Sequence, residues 1–146
     1  MKATRLIAPL KNMLWGIIAI VVAFSLGSCA QKVTFLTSSV VPAAQGYVKV
    51  KNDDNKNYVI QVHVSDLAGI ERIQPSKQTY VVWMETDQGI TKNIGRLNVS
   101  NNLKASFETV SSFQPTKIFI TAEENESAQY PDAVVVLTTD KFWDDR

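Results

Sequence analysis

The tightest group of residues able to do chemistry in this chain is His63, Ser65 and Asp66, a base, a hydroxyl and a carboxylate. His63 and Ser65 share a face if the segment is a strand. Nucleophilic catalysis needs the base within hydrogen-bond reach of the hydroxyl and a third group orienting the base. Same-face neighbours on a strand hold their Cβ atoms roughly 6–7 Å apart, and neither a nucleophile elbow nor an oxyanion-type glycine run flanks them, so the group reads as the polar side of a strand. A second chemistry is cation binding, for which Asp53 with Asp54, and Glu123 with Glu124 and Glu126, offer hard oxygen ligands. Neither run has the alternating Asp/Asn spacing and glycine of a calcium loop. Both read as solvated loop charge, and no metal or cofactor is expected. Stacking on a ligand is the third. Trp83 lies in the most apolar stretch and is expected in the core, with its N–H paired to backbone, while Phe142-Trp143 is either a lid over one end of the fold or a frayed tail. There remains Cys29, the single cysteine, preceded by Leu26-Gly27-Ser28. One thiol can form no internal disulfide and no cysteine framework for zinc.

The segments that must position Cys29 come before it. Residues 1–12 carry Lys2, Arg5 and Lys11 and no acidic residue, and Met13 to Phe24 is an unbroken apolar block. That order of parts is a signal-peptide pattern. The rival reading is a retained transmembrane helix, but a span needs roughly 20 apolar residues, and here Ser25 interrupts and the small residues Gly27 and Ser28 follow. Leu26-Gly27-Ser28-Cys29 resembles a bacterial lipoprotein signal. The resemblance implies cleavage between Ser28 and Cys29, a lipidated (palmitate-bearing) Cys29, and a domain held outside the cytoplasm on a membrane of the cell envelope. More than one acyl chain on Cys29 is what stable anchoring takes.

From Cys29 on there is room for one domain in a chain of 146 residues. Residues 29–39 read as a polar, lipidated tether that can hold a short strand at 33–36, and residues 40–142 as the domain, followed by a tail at 143–146. Alternating apolar and polar residues predict strands at 47–51, 58–65, 90–97 and 103–109. Leu103, Ala105, Phe107 and Thr109 are expected on one face of the last of these. The stretch 78–86 is apolar on both faces, as in a strand covered on two sides, and 116–123 and 133–139 complete seven. Asp87-Gln88-Gly89 reads as a hairpin turn with glycine at a positive φ. About seven short strands, turn signals between them and no helical period predict an all-β, immunoglobulin-like antiparallel sandwich after the signal helix.

Pro42-Ala-Ala-Gln-Gly46, Gln78-Thr-Tyr80-Val-Val-Trp83-Met84, Asp87-Gln-Gly89, Ile94-Gly95 and Thr121-Ala-Glu123, with Pro131 ahead of a valine-rich run, together resemble the C-terminal extracytoplasmic domain of anti-sigma-K factors. The resemblance spans roughly residues 40–140 and implies the same sandwich. The loop from Glu124 to Tyr130 lacks the glycine pair usual in that family, and only 12 residues precede the apolar block, so direct sigma-factor binding is not expected.

With 15 Lys and Arg, three of them ahead of Cys29, against 14 Asp and Glu, the domain is close to neutral. It has no basic stripe for nucleic acid. The expected function is a membrane-anchored, non-catalytic binding, sensory or structural module, meeting the membrane through Cys29 and an envelope protein or ligand by its surface. Competing readings are a regulatory partner in an anti-sigma pathway and a small surface hydrolase. One reversal per strand, counted from residue 47, puts loops 52–57, 87–89 and 111–115 with residues 142–143 at the end away from the membrane. Loops 65–77, 98–102 and 124–132 then lie close to it. Asp53, Asp54, Asp87, Phe113, Phe142 and Trp143 are therefore the expected partner surface.

Overall fold

The computed structural model describes residues 29–143. Ser28 and the expected signal helix lie outside the described residues, as do positions 144–146 of the expected tail.

Each of the seven stretches expected to be a strand contains one; where the sequence alternates, one face enters a core while the other stays wet. They are β2 (Gln45–Asn52), β3 (Tyr58–Ser65), β4 (Thr79–Thr86), β5 (Thr91–Leu97), β6 (Ala105–Ser111), β7 (Pro115–Glu123) and β8 (Val135–Thr138). An eighth strand, β1 (Gln31–Thr34), precedes them. Two antiparallel four-stranded sheets result, in the orders β1–β2–β3–β6 and β5–β4–β7–β8. The chain crosses between sheets after β3, β5 and β6, which is the Greek-key wiring of an immunoglobulin-like sandwich.

The core lies between the sheets. Val48 and Val50 of β2 and Ile60, Val62 and Val64 of β3 pack with Tyr80, Val82 and Met84 of β4 and Ile118 and Ile120 of β7. Leu67, just past β3, joins that cluster and is fully buried. Leu103 departs from expectation: it precedes β6, has a positive φ of 60° and is exposed. Gly89 takes φ 73° in the β4–β5 turn, as expected of it. Gly95 takes φ 143°, and a Cβ there would lie 2.7 Å from the Phe107 ring of the facing sheet, so both backbone and space require glycine.

Strand β1 changes the relation of the N-terminus to the rest. Gln31 pairs opposite Val50 and Thr34 opposite Tyr47, so β1 runs back along β2. Beyond it, Phe35 bridges Thr139 and the Leu36 N–H donates to the Thr138 carbonyl at 2.9 Å, which closes the β1–β8 side. Four residues of the expected tether 29–39 are thus strand, and Phe35 adds a bridge. Cys29, two residues ahead of β1, lies at the end where β2 finishes. That end also carries loops 53–57, 87–90 and 112–114, since Asn52 pairs with Tyr58, Tyr58 with Ser111, and Thr86 with Pro115. The count that put these loops at the end opposite Cys29 is corrected: it lacked one strand, and each antiparallel strand adds one reversal.

Tyr80 ties the opposite end together, its hydroxyl donating to the Ala68 carbonyl at 2.7 Å. Burial, with a smaller contribution from Glu71, pushes its phenol up to about 12. A proton held more tightly in the folded state gives stability that is complete below the free phenol's pKa of about 10 and is lost as pH rises towards 12. Unfolding midpoints are expected to fall across that window in the wild type and much less in Tyr80→Phe. Equal slopes would show that Tyr80 does not report this contact.

Candidate functional site

Two polar constructions stand out, one on each sheet. On the outer face of β1–β2–β3–β6, at the end opposite Cys29, an open groove of about 1310 Å³ runs between residues 34–37, 42–47 and 98–106. Its wall includes Tyr47 and His63, cross-strand partners whose rings are 5.0 Å apart at 36°. Lys32 Nζ lies 4.0 Å above the Tyr47 ring. Ser65, Asn98 and Lys104 add hydroxyl, amide and ammonium groups. Such a surface can stack on and hydrogen-bond to a polar ligand. The signal in the sequence was the shared outward parity of Tyr47 and His63 on neighbouring strands, which becomes visible once the register is known.

His63, Ser65 and Asp66 come near this groove without forming a relay. The Ser65 hydroxyl donates to the Gln45 carbonyl at 3.5 Å, and Asp66 accepts from Gln45 Nε2 at 3.3 Å. Among the described residues no hydrogen bond joins His63 to either.

The second construction lies on the outer face of β5–β4–β7–β8. Val81, Trp83 and Phe119 form a separate buried cluster there, with Trp83 stacked on Phe119 at 6.3 Å and Ala128 packed over them. Trp83 is therefore buried as expected, but on the face away from the main core. Its indole N–H donates at 2.7 Å to the Thr121 hydroxyl and not to backbone, which corrects the expected pairing. Thr121 in turn donates to buried Glu123, and the Glu123 carboxylate accepts the Asp132 N–H at 2.8 Å. Loop 124–134 covers this face and is held down elsewhere too. Asn93 Nδ2 donates to the carbonyls of Glu126 and Ala128 at 2.9 and 3.0 Å, and Arg96 pairs with Glu126 at 3.0 Å. Lys77 meets Asp132 at 2.7 Å and Glu124 at 3.3 Å. The hydrogen bond between them holds the Asp132 carboxyl below the usual range and raises the Lys77 ammonium above it.

The acidic runs are accordingly engaged. Glu123 is inside the Trp83 network, and Glu124 and Glu126 are ion-paired. Asp53 caps its own turn, accepting from the Asn55 N–H, the Asn57 N–H and Asn57 Nδ2 at 2.8, 2.8 and 3.2 Å. These bonds, the Asn57 N–H first, lower its pKa. Among the described residues no three His, Cys, Asp or Glu side chains are arranged to hold a metal.

The six residues expected to form a partner surface do gather at one end, the Cys29 end, but they are not equally available. Asp54, Asp87 and Trp143 are exposed. Phe113 is half-buried beneath Lys92 Nζ, 4.3 Å from its ring centroid. Phe142 is 2% exposed, packs in the main core, and its N–H donates to the Thr116 carbonyl at 2.8 Å. It is not a surface residue, because the chain after β8 runs on beside the start of β7, with the Thr139 N–H on the Ile118 carbonyl and the Phe142 N–H on that of Thr116, and the ring enters the core. Trp143 is held by its indole N–H on the Pro115 carbonyl at 2.9 Å. Cys29 is exposed, with a free thiol. Among the described residues no helix is long and apolar enough to cross a membrane.

No protein-family model, curated protein or solved structure matches this chain.

Proposed function

We propose that this chain is a cell-envelope lipoprotein, anchored through Cys29, whose sandwich is a non-catalytic binding or sensory module akin to the C-terminal extracytoplasmic domain of anti-sigma-K factors. The observation that carries this reading is the placement of Cys29. It follows Leu26-Gly27-Ser28, is exposed, and stands outside any strand at one end of the sandwich. The groove beside Tyr47 and His63 lies at the opposite end and supports the binding role, since a domain anchored at Cys29 holds that groove open to a partner. Kinship with the anti-sigma-K domain rests on the sequence motifs that hold Trp83, Thr121 and Glu123, three residues that also meet in one buried chain of hydrogen bonds.

Cys29→Ser tests the anchor. The variant is expected to accumulate as an uncleaved precursor, while the wild type fractionates with membranes in processed form. Equal processing of both proteins would remove Cys29 from the anchor.

A further inference from the structure

Building on the membrane-anchored reading, we infer that the Cys29 end of the sandwich is itself a bilayer-docking surface, with Trp143 and Ile90 seated at the boundary between headgroups and acyl chains. The argument starts from reach. Gln31 is two positions after Cys29, about 7 Å at full extension, whereas the eight-residue strands are about 27 Å long. Whatever holds residue 29 at a membrane, a lipid on its thiol or an apolar helix before it, β1 holds the adjacent end of the fold against the same surface. A free tether of residues 29–39 would have allowed the domain to stand off, but pairing of Gln31–Thr34 with β2 removes that slack.

The chemistry of this end fits that position. Ile90 in the β4–β5 turn is 46% exposed and Trp143 39% exposed. Trp143 is tied to this same end through the Pro115 carbonyl, Pro115 being the register partner of Thr86 at the close of β4. Trp143 already donates its indole N–H to the Pro115 carbonyl, so its ring can enter an apolar layer without stranding a donor. Exposed Lys56 and Lys141 flank the end, and Trp with Lys is the pairing that settles at membrane interfaces. Asp54, Asp87 and Asp140 are exposed there as well, so net charge does not drive contact. Apolar insertion beside the anchor does, and it needs no anionic lipid.

The test uses the chain's tryptophans, of which there are three. Full-length protein carrying Trp15→Phe is recovered from membranes and placed in phosphatidylcholine vesicles with brominated acyl chains, which quench only indoles that reach them. Trp83 is buried beneath loop 124–134 and is expected to keep its emission, while Trp143 is expected to lose most of its own, and high salt is expected to leave the loss unchanged. Adding Trp143→Phe should abolish the quenching. Ile90→Ser should weaken it. Membrane-bound protein whose Trp143 remains unquenched and accessible to an aqueous quencher overturns the docking surface while leaving the anchor intact. Protein recovered in the soluble fraction, unprocessed, with a free Cys29 thiol, overturns the anchor and the docking together.

Discussion

Trp83→Ala is expected to lower the unfolding free energy by about 3–5 kcal/mol, the usual loss when a buried aromatic is truncated. The ring is fully buried, stacks on Phe119, and hands its N–H to Thr121. Truncation removes that area and also leaves the Thr121 hydroxyl without its donor, next to a buried Glu123. A typical domain is stable by 5–15 kcal/mol, so this single change consumes a large fraction of the margin. Trp83→Phe keeps most of the area and gives up one hydrogen bond, for which about 1 kcal/mol is expected. Denaturant midpoints of the two variants check this. If Trp83→Ala barely moves the midpoint, loop 124–134 does not cover that face in solution.

Phe142→Ala is expected to cost about 3 kcal/mol, at the lower end of the range for a buried phenylalanine, because the C-terminal segment can fray without unfolding both sheets. Its neighbour provides the control. Trp143→Ala removes a half-exposed ring and one hydrogen bond to Pro115, so about 1 kcal/mol or less is expected. A silent Phe142→Ala would mean that the chain beyond β8 is not docked, and would return Phe142 to the surface.

These two residues show where a sequence can be read and where it cannot. Alternation in 47–51 and 58–65 determines which side chains enter the core, because a one-residue slip would turn Val48, Val50, Ile60 and Val62 to water. The sandwich follows from several such runs. What alternation does not disclose is which of two buried faces an apolar residue serves. Tyr80-Val-Val-Trp-Met is apolar throughout, and only the lid formed by loop 124–134 makes a second small core around Val81 and Trp83. That loop is rich in Glu, Asn and Ser and reads as solvated, whereas its carboxylates and carbonyls are spent on Lys77, Arg96 and Asn93.

Strand β1 was harder still. Four residues with one half-buried valine carry little pattern, yet their pairing reverses the direction in which the domain leaves Cys29. The six residues gathered as a partner surface do lie at one end, Phe142 buried there, and that end is the one beside Cys29. The groove near Tyr47 and His63 lies at the end opposite Cys29 instead. It was illegible because its walls come from β2, β3 and the 98–106 segment, and only strand register brings them side by side.

The intact mass of the processed protein recovered from membranes tests the anchor most directly. A chain beginning at Cys29 and carrying the added mass of a diacylglyceryl group and an amide-linked acyl chain is the expected result. A chain that still begins at Met1, with Cys29 unmodified, would contradict it.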